Sequence, residues 1–194
     1  MLALESLTEP TAQPEHLSSG LRVEQIYAAH VAMVWSGLRR LGVPEANIED
    51  AVQDVFLVAH RRLSEFEGRS SIKTWLYGIV LRVAKDYRRS QARHAQRVTG
   101  LAQILSVGAT AEPTPLTQAE RREANQALHA ILAELDEDQR EVLVMVELEG
   151  FAVRDAAAVL NLHVRACQRR LHAAHAAFDK KLARYLQPSG RQVP

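Results

Sequence analysis

Three polar side chains suited to docking on a basic surface recur at helical spacing early in the chain. Asp50, Gln53 and Asp54 stand at positions i, i+3 and i+4, so a helix would present them on one face. An acidic and polar face of this kind can bind a basic partner. The simpler interpretation, complementarity to the positive end of the helix dipole, explains Asp50 but neither Gln53 nor Asp54.

A second group of side chains, near the other end of the chain, could hydrogen-bond to the edges of DNA bases. Residues 151–185 have the proportions of a helix-turn-helix, in which Asn161 tolerates the left-handed turn and Leu162 plugs the angle between the helices. Arg and Gln can form paired hydrogen bonds with guanine and adenine edges. The candidates on the second helix are Arg165, Gln168, Arg169 and His172. A plain helical hairpin is the alternative that this motif alone leaves open.

Charge is distributed in blocks that the formal net charge of +1 conceals. Residues 61–97 contain 10 Lys or Arg against 3 acids, residues 120–149 contain 3 Arg against 9 acids, and residues 154–184 contain 7 basic residues against 2 acids. Two basic blocks separated by an acidic one indicate two surfaces that contact polyanions. Solvated helix faces are the alternative interpretation.

Apolar periodicity predicts three helices in the first half of the chain. The first helix begins near Leu21 and stops at Gly42 and Pro44. The second helix is capped by Asn47, and its apolar stripe extends to Phe66. Ser70 or Ser71 is expected to cap the third helix. Its outer faces bear five cations: Lys73, Arg82, Lys85, Arg88 and Arg89.

The second half predicts four further helices. Thr117 with Glu120 forms a capping box, and Asp136 with Gln139 repeats the start signal. The sequence therefore predicts an all-α protein of two small helical domains, 21–95 and 117–187. They are joined by a flexible linker, 96–116, with a short helical turn at Leu101–Leu105. Residues 1–20 are expected to form a mobile tail and 188–194 a short C-terminal tail.

The sequence argues against several other classes. A single cysteine, Cys167, excludes an internal disulfide, and there is neither a signal peptide nor an apolar stretch long enough to insert into a membrane, so we expect a cytoplasmic protein. No phosphate loop or nucleophile–base arrangement occurs, which predicts no enzymatic activity and no cofactor. His163 and Cys167 have chelating spacing, but we expect no metal site and a buried Cys167. Trp35 and Trp75 are expected to be mainly core residues, although Trp75 could also approach DNA.

Several segments, in order, resemble the sigma factors of the sigma-70 family. Residues 48–56 resemble the core-polymerase-binding signature of region 2, and residues 66–77, continued by 84–87, resemble the segment that recognises and opens the −10 promoter element. Residues 135–150 resemble the start of region 4, and 170–172 a common ending of its helix-turn-helix. The resemblance spans Leu21–Leu186. It indicates the extracytoplasmic-function group, since no segment resembles region 1.1 or region 3.

The resemblance implies a role for each surface. Asp50, Gln53 and Asp54 would bind the β′ clamp helices of RNA polymerase core, whose β flap is a further expected partner, with promoter DNA and an anti-sigma factor. The loop Glu67–Thr74 would capture a flipped base. The −35 element would be recognised by Arg165, Gln168, Arg169, Arg170 and His172. The −10 element would be bound by Glu67, Arg69, Ser70, Ser71, Lys73, Thr74, Trp75, Arg82, Lys85, Arg88 and Arg89.

The chain departs from the family pattern at a few of these positions. Arg82 stands where Asn is frequent, Gly78 where a basic residue is common, and Gln168 and Ala173 where Lys or Arg is frequent. The −10 pocket and the −35 sequence are therefore not predicted in detail. Ala156 replaces a larger apolar residue, which predicts a looser core there. Two other functions remain open: a helix-turn-helix regulator that is not a polymerase subunit, and a sigma mimic that only sequesters another protein.

Overall fold

Seven α-helices make up most of the chain that the computed structural model describes, which comprises residues 22–98 and 115–186. Short 3-10 turns, Glu45–Asn47 and Leu63–Glu65, flank the second helix. The α-helices are α1 Val23–Arg40, α2 Ile48–Arg62, α3 Ile72–Val98, α4 Pro115–Ala133, α5 Glu137–Leu143, α6 Val153–Val159 and α7 Val164–Leu186.

The first domain is formed by α1, α2 and α3, which pack against one another in all three pairings. Their apolar stripes meet in a core whose centre is fully buried, with Val34, Leu38, Val55, Leu76 and Val80 all at 0% exposure. These positions lie on the faces that the apolar periodicity predicted. The outer faces of α2 and α3 are thereby left for polar side chains.

Two helix starts in this domain differ in how they are capped. Asn47 occupies the N-cap position of α2 as predicted, but its side chain makes no capping bond. The 3-10 turn before the helix takes up the Asn47 and Ile48 amides, which donate to the Pro44 and Glu45 carbonyls. Of the two candidates for α3, Ser71 is the cap, since its Oγ accepts from the Thr74 amide at 3.0 Å. The α-helical part of α2 ends at Arg62, so Phe66 follows the helix instead of extending its stripe.

The helix α5 of the second domain begins after Asp136. The Asp136 carboxylate accepts from the Gln139 amide at 2.8 Å, as the sequence predicts. After α5 the chain continues as a π-helical segment, Val144–Leu148, where a single longer helix was predicted. Asn161 has a φ of 54°, which makes the left-handed turn between α6 and α7. This turn places α7 across the short α6, as in a helix-turn-helix.

Helices extend into both ends of the segment 96–116 that was predicted to be a linker. α3 ends at Val98, and α4 begins at Pro115 instead of Thr117. Proline suits a first helical position, where the missing amide hydrogen costs nothing. The two predicted tails, 1–20 and 188–194, and the predicted turn at Leu101–Leu105 lie outside the described residues.

One continuous apolar core joins the two domains. The Phe151 ring, which follows the π-helical segment, lies 4.9 Å from the Tyr77 ring of α3 at a tilt of 54°, and both residues are buried. Gly37 of α1 makes room for this contact, because a Cβ there would lie 3.1 Å from Tyr77 Cε2. The second domain therefore packs directly on the helix that bears the first basic block.

Candidate nucleic-acid and protein interfaces

The acidic face predicted on α2 is present and accessible. Asp50, Gln53 and Asp54 are all exposed, while Ala51 and Val55, on the opposite side of the same helix, are fully buried. The helix is thus fixed by its apolar side and offers its polar side to a partner. Sequence spacing alone located this surface, because burial and polarity alternate with the helical period.

Tyr87 of α3 supports this face in a way the sequence did not reveal. Its hydroxyl donates to Asp54 Oδ2 at 2.9 Å. Burial raises the pKa of Tyr87 to about 12, together with the hydrogen bond to Asp54 and the negative charges of Asp54 and Asp50. Only the folded contact between α2 and α3 shows that the Tyr87 hydroxyl reaches the acidic face.

We expect Tyr87→Phe to lower the free energy of unfolding by about 0.5–1.5 kcal/mol, the usual net contribution of one hydrogen bond. Because the variant removes only a hydroxyl, the apolar packing of α3 stays in place. Urea unfolding followed by circular dichroism measures the change. Tyr185→Phe, at a half-exposed position near the end of α7, is the matched control and should be neutral. Equal midpoints for the two variants would show that the Tyr87–Asp54 bond contributes nothing.

An apolar groove of about 620 Å³ lies beside the acidic face, between α1 and α2, and Gln53 lines both. Its walls include Tyr27, Trp35 and Leu57, which are 49%, 37% and 43% exposed. The prediction that Trp35 is a core residue is therefore wrong, because its helix turns it outward, where Arg39 covers its ring at 4.8 Å. The acidic face and the apolar groove together form one continuous surface.

The loop before α3 presents a mixture of exposed and engaged polar groups. Glu67 and Arg69 are exposed and form an ion pair with each other, and Ser70 is exposed. Ser71 caps the helix, and its hydroxyl lies 2.8 Å from the Thr74 hydroxyl. Thr74 is only 6% exposed, so in this arrangement it stabilises the start of α3 and does not face solvent.

Trp75 lies partly in the core, as the sequence predicted, and its approach to DNA stays a prediction. It is half-buried and packs against the core, with its ring 5.4 Å from that of Phe66. The indole therefore packs the end of the loop against α3, while part of it remains accessible.

The five cations of α3 that were predicted to bind the −10 element fall into two sets. Arg82 and Arg89 are exposed, whereas Lys73, Lys85 and Arg88 contact the second domain. Lys73 Nζ donates to the Glu149 carbonyl at 2.6 Å and lies 4.5 Å from the centre of the Phe151 ring. One predicted phosphate ligand is thus already held by a carbonyl and an aromatic face.

Two carboxylates of α5 hold the other two engaged cations. Glu137 Oε1 lies 3.0 Å from Lys85 Nζ and 2.9 Å from Arg88 Nη2, and Glu141 Oε1 lies 3.4 Å from Arg88 Nη2. Burial alone would raise the pKa of Glu137, but the bond from Lys85 and the charge of Arg88 hold it below its ordinary value. The carboxylate therefore remains ionised as a partner for both cations.

A further ion pair joins the domains on the other side of Tyr77. Arg40 Nη1 of α1 lies 2.6 Å from Glu149 Oε1, whose side chain is only 6% exposed. Burial raises the pKa of Glu149, while the Arg40 hydrogen bond and charge oppose that rise. Removing one member of such a desolvated pair leaves the other uncompensated, which makes the pair a strong constraint on how the domains sit.

The predicted recognition helix turns four of its five candidates to solvent. Arg165, Gln168, Arg169 and His172 are exposed on α7, whereas Arg170 is half-buried and lies 3.0 Å from Asp138 of α5. Arg170 thus fastens α7 to α5 in this structure.

Cys167 is fully buried and Leu171 half-buried, as the four-residue step between them predicts. Burial raises the pKa of the Cys167 thiol, which keeps it in the unreactive thiol form. Ala156 of α6 is also fully buried. The outer side of α7 is therefore exposed to solvent in the described part of the chain.

Comparison with known proteins identifies both halves of the chain. Residues 26–94 match the family described as Sigma-70 region 2, and residues 125–177 match Sigma-70, region 4. RNA polymerase sigma factor CnrH of Cupriavidus metallidurans is 31% identical over 163 residues, 81% of this chain and 85% of that protein. The ECF RNA polymerase sigma-E factor of Escherichia coli K12 is 32% identical over 147 residues, 72% of this chain and 76% of that one.

Solved structures agree with these matches. The structure of CnrH in complex with the cytosolic domain of CnrY superposes with a TM-score of 0.64 at 27% identity, covering 86% of this chain and 92% of CnrH. The sigma factor RpoE from Bartonella quintana, solved with the anti-sigma factor NepR, has the same fold, with a TM-score of 0.67 at 23% identity over 82% of this chain and 96% of that one. None of the helices described here is long and apolar enough to span a bilayer.

Proposed function

The chain belongs to the sigma-70 family of RNA polymerase sigma factors, in its extracytoplasmic-function group, and on that premise we propose how its surfaces divide the work of initiation. It binds RNA polymerase core and directs promoter-specific transcription. The observation that supports the division most strongly is that an accessible acidic face, a capped polar loop and an exposed recognition helix follow one another in one chain.

Core polymerase is proposed to bind the α2 face. Asp50, Gln53 and Asp54 supply negative and polar groups for the basic β′ clamp helices, and the adjoining groove with Tyr27 and Leu57 supplies apolar contact area. A surface with both parts suits an amphipathic helical partner. The second domain is proposed to contact the β flap.

Promoter DNA is proposed to bind at two separate places. The loop from Glu67 to Thr74 and the cations of α3 would take the unpaired −10 strand, with phosphate contacts giving affinity and the loop giving base preference. The exposed side of α7 would lie in the major groove at the −35 element. The chain works by binding alone in this account, without catalysis, and acts in the cytoplasm with its polymerase.

A protein regulator is a further proposed partner. The similar sigma factor CnrH was solved with the cytosolic domain of CnrY, which by analogy suggests that an anti-sigma factor sequesters this chain as well. Both the α2 face and the groove remain open to such a partner in the present structure.

Core dependence of DNA binding separates this function from that of an independent helix-turn-helix regulator. We expect the free chain to bind duplex promoter fragments weakly, and the complex with core to bind them tightly and specifically. Gel-shift titration of the same fragments with chain alone, core alone and both together measures this. Tight, specific binding by the chain alone would favour the independent regulator.

We predict that exchanging the loop Glu67–Thr74 changes which promoters are used. A loop from a relative with a different known −10 preference should transfer that preference, because residues 67–71 are exposed between two fixed helices. The exchanged segment keeps Ser71 and Thr74, so that the cap of α3 stays intact. Start sites mapped on a −10 substitution library give the result. Unchanged preference with full activity would place specificity elsewhere, with Arg82 as the first candidate.

A further inference from the structure

A row of apolar side chains on α1 forms one wall of the groove that lies beside the acidic face. Val23, Tyr27, Val31 and Trp35 recur at four-residue steps, so they lie on one side of the helix. Six large apolar side chains are exposed in the described chain, and three of them line this groove: Tyr27, Trp35 and Leu57. An exposed apolar patch of this kind normally marks a surface that another segment or protein covers.

The chain enters α1 at the rim of this groove. Val23, the first residue of α1, is one of the lining residues, and Arg22 before it has an extended backbone with φ −102° and ψ 145°. The 21 residues that precede Arg22 are therefore attached next to the groove.

Those 21 residues divide into an apolar part and a polar part. Four of their six Leu and Met side chains belong to Met1–Leu7, in which Glu5 is the one charged side chain. Residues 8–22 are mostly polar residues, proline and glycine. The apolar part has the chemistry of a ligand for an apolar groove, because burial of its leucines removes apolar surface from water.

We propose that Met1–Leu7 binds in the groove between α1 and α2 of the free chain and competes there with core polymerase. The binding itself is independent of the proposed function, and the competition rests on it. Along α1 the groove extends about 18 Å from Val23 to Trp35, since a helix rises about 1.5 Å per residue. A polar chain as long as residues 8–22 has a root-mean-square span of about 21 Å. Because this span matches the groove, the segment has a local concentration in the millimolar range.

A second copy of the chain fits the same surface less well. A two-fold contact between two grooves would bring Glu49, Asp50 and Asp54 of one copy towards the same carboxylates of the other copy. Like charges that face each other across an interface oppose association. Met1–Leu7 brings only the single carboxylate of Glu5 to this surface.

A disulfide between the segment and the groove tests the binding directly in the full chain. Leu4→Cys with Leu57→Cys places one thiol in each. The matched control, Leu4→Cys with Tyr185→Cys, pairs the segment with a similarly exposed position on α7, since Leu57 and Tyr185 are 43% and 50% exposed. Cys167 is buried and does not compete for the new thiols. We expect oxidised glutathione to cross-link the first pair about tenfold faster than the control pair. Equal rates in a non-reducing gel would overturn the proposal.

The affinity for core polymerase tests the competition. Leu4→Asp with Leu7→Asp removes the apolar contact, whereas Thr8→Asp with Thr11→Asp adds the same charge to the polar part. We expect the first variant to bind core about tenfold more tightly than the second if the segment occupies the groove in about nine of ten molecules. Titration of fluorescein-labelled chain with core measures both affinities. Equal affinities of the two folded variants would show that the segment does not compete with core.

The wild-type chain in the same titration separates this proposal from the proposed function. If it binds core and the two cysteine pairs cross-link equally, only the binding of Met1–Leu7 in the groove is wrong. If it does not bind core, the proposed function fails, and the cross-linking rates still decide whether the segment binds in the groove.

Discussion

Asp50→Arg combined with Asp54→Arg is expected to abolish binding to core polymerase while leaving the fold intact. Both carboxylates are exposed on α2, and neither contributes to the apolar core beneath them. Like charges brought together across an interface cost several kcal/mol, so two reversals reduce binding beyond detection in a pull-down. The fold loses only the Tyr87–Asp54 hydrogen bond, worth about 1 kcal/mol.

The control for this variant is Glu24→Arg with Asp179→Arg. It changes the net charge by the same amount at exposed positions of α1 and α7. Far-UV circular dichroism establishes that both proteins are folded before pull-down with purified core. If the folded Asp50→Arg, Asp54→Arg protein binds core as well as the control does, this face of α2 does not bind core.

Arg169→Ala is expected to reduce −35-dependent transcription strongly, and Gln168→Ala to relax sequence preference more than rate. Both side chains point to solvent from α7, because Cys167 and Leu171 occupy its inner side. Loss of a bidentate base contact costs roughly 1–3 kcal/mol and affects one base position. Loss of a phosphate contact weakens all sequences alike and flattens the salt dependence.

Transcription from a −35 substitution library at several salt concentrations distinguishes a base contact from a phosphate contact. Lys180→Ala, an exposed cation three turns further along α7, is the matched control and should change neither rate nor preference. Wild-type rates and preferences for both Arg169→Ala and Gln168→Ala would show that these side chains are only solvent-exposed residues of α7 and do not contact DNA.

Local rules of the chain predicted the elements and the outward-facing candidates well. The Asp136 cap and the left-handed Asn161 depend on neighbours within a few residues, so sequence spacing was enough to find them. The exposed sets on α2 and α7 follow from the helical period, since burying one side of a helix turns the other side outward.

What the sequence could not provide are contacts between residues far apart in the chain. Lys73 meets the carbonyl of a residue 76 positions later, and Arg88 a carboxylate 53 positions later. Composition showed a basic block and an acidic block but not that they face each other. The prediction for Trp35 was wrong for a related reason. A large apolar side chain on an amphipathic helix is expected in the core, and the sequence does not show that the neighbouring helix leaves Trp35 uncovered.

Run-off transcription tests the central claim most directly. Purified core polymerase is mixed with this chain and fragmented genomic DNA, and the 5′ ends of the transcripts are mapped. The account predicts transcripts that require the chain and start downstream of one shared pair of −10 and −35 sequences, and that disappear with Asp50→Arg, Asp54→Arg. Transcripts that are the same with and without the chain, or start sites that share no upstream sequence, would contradict it.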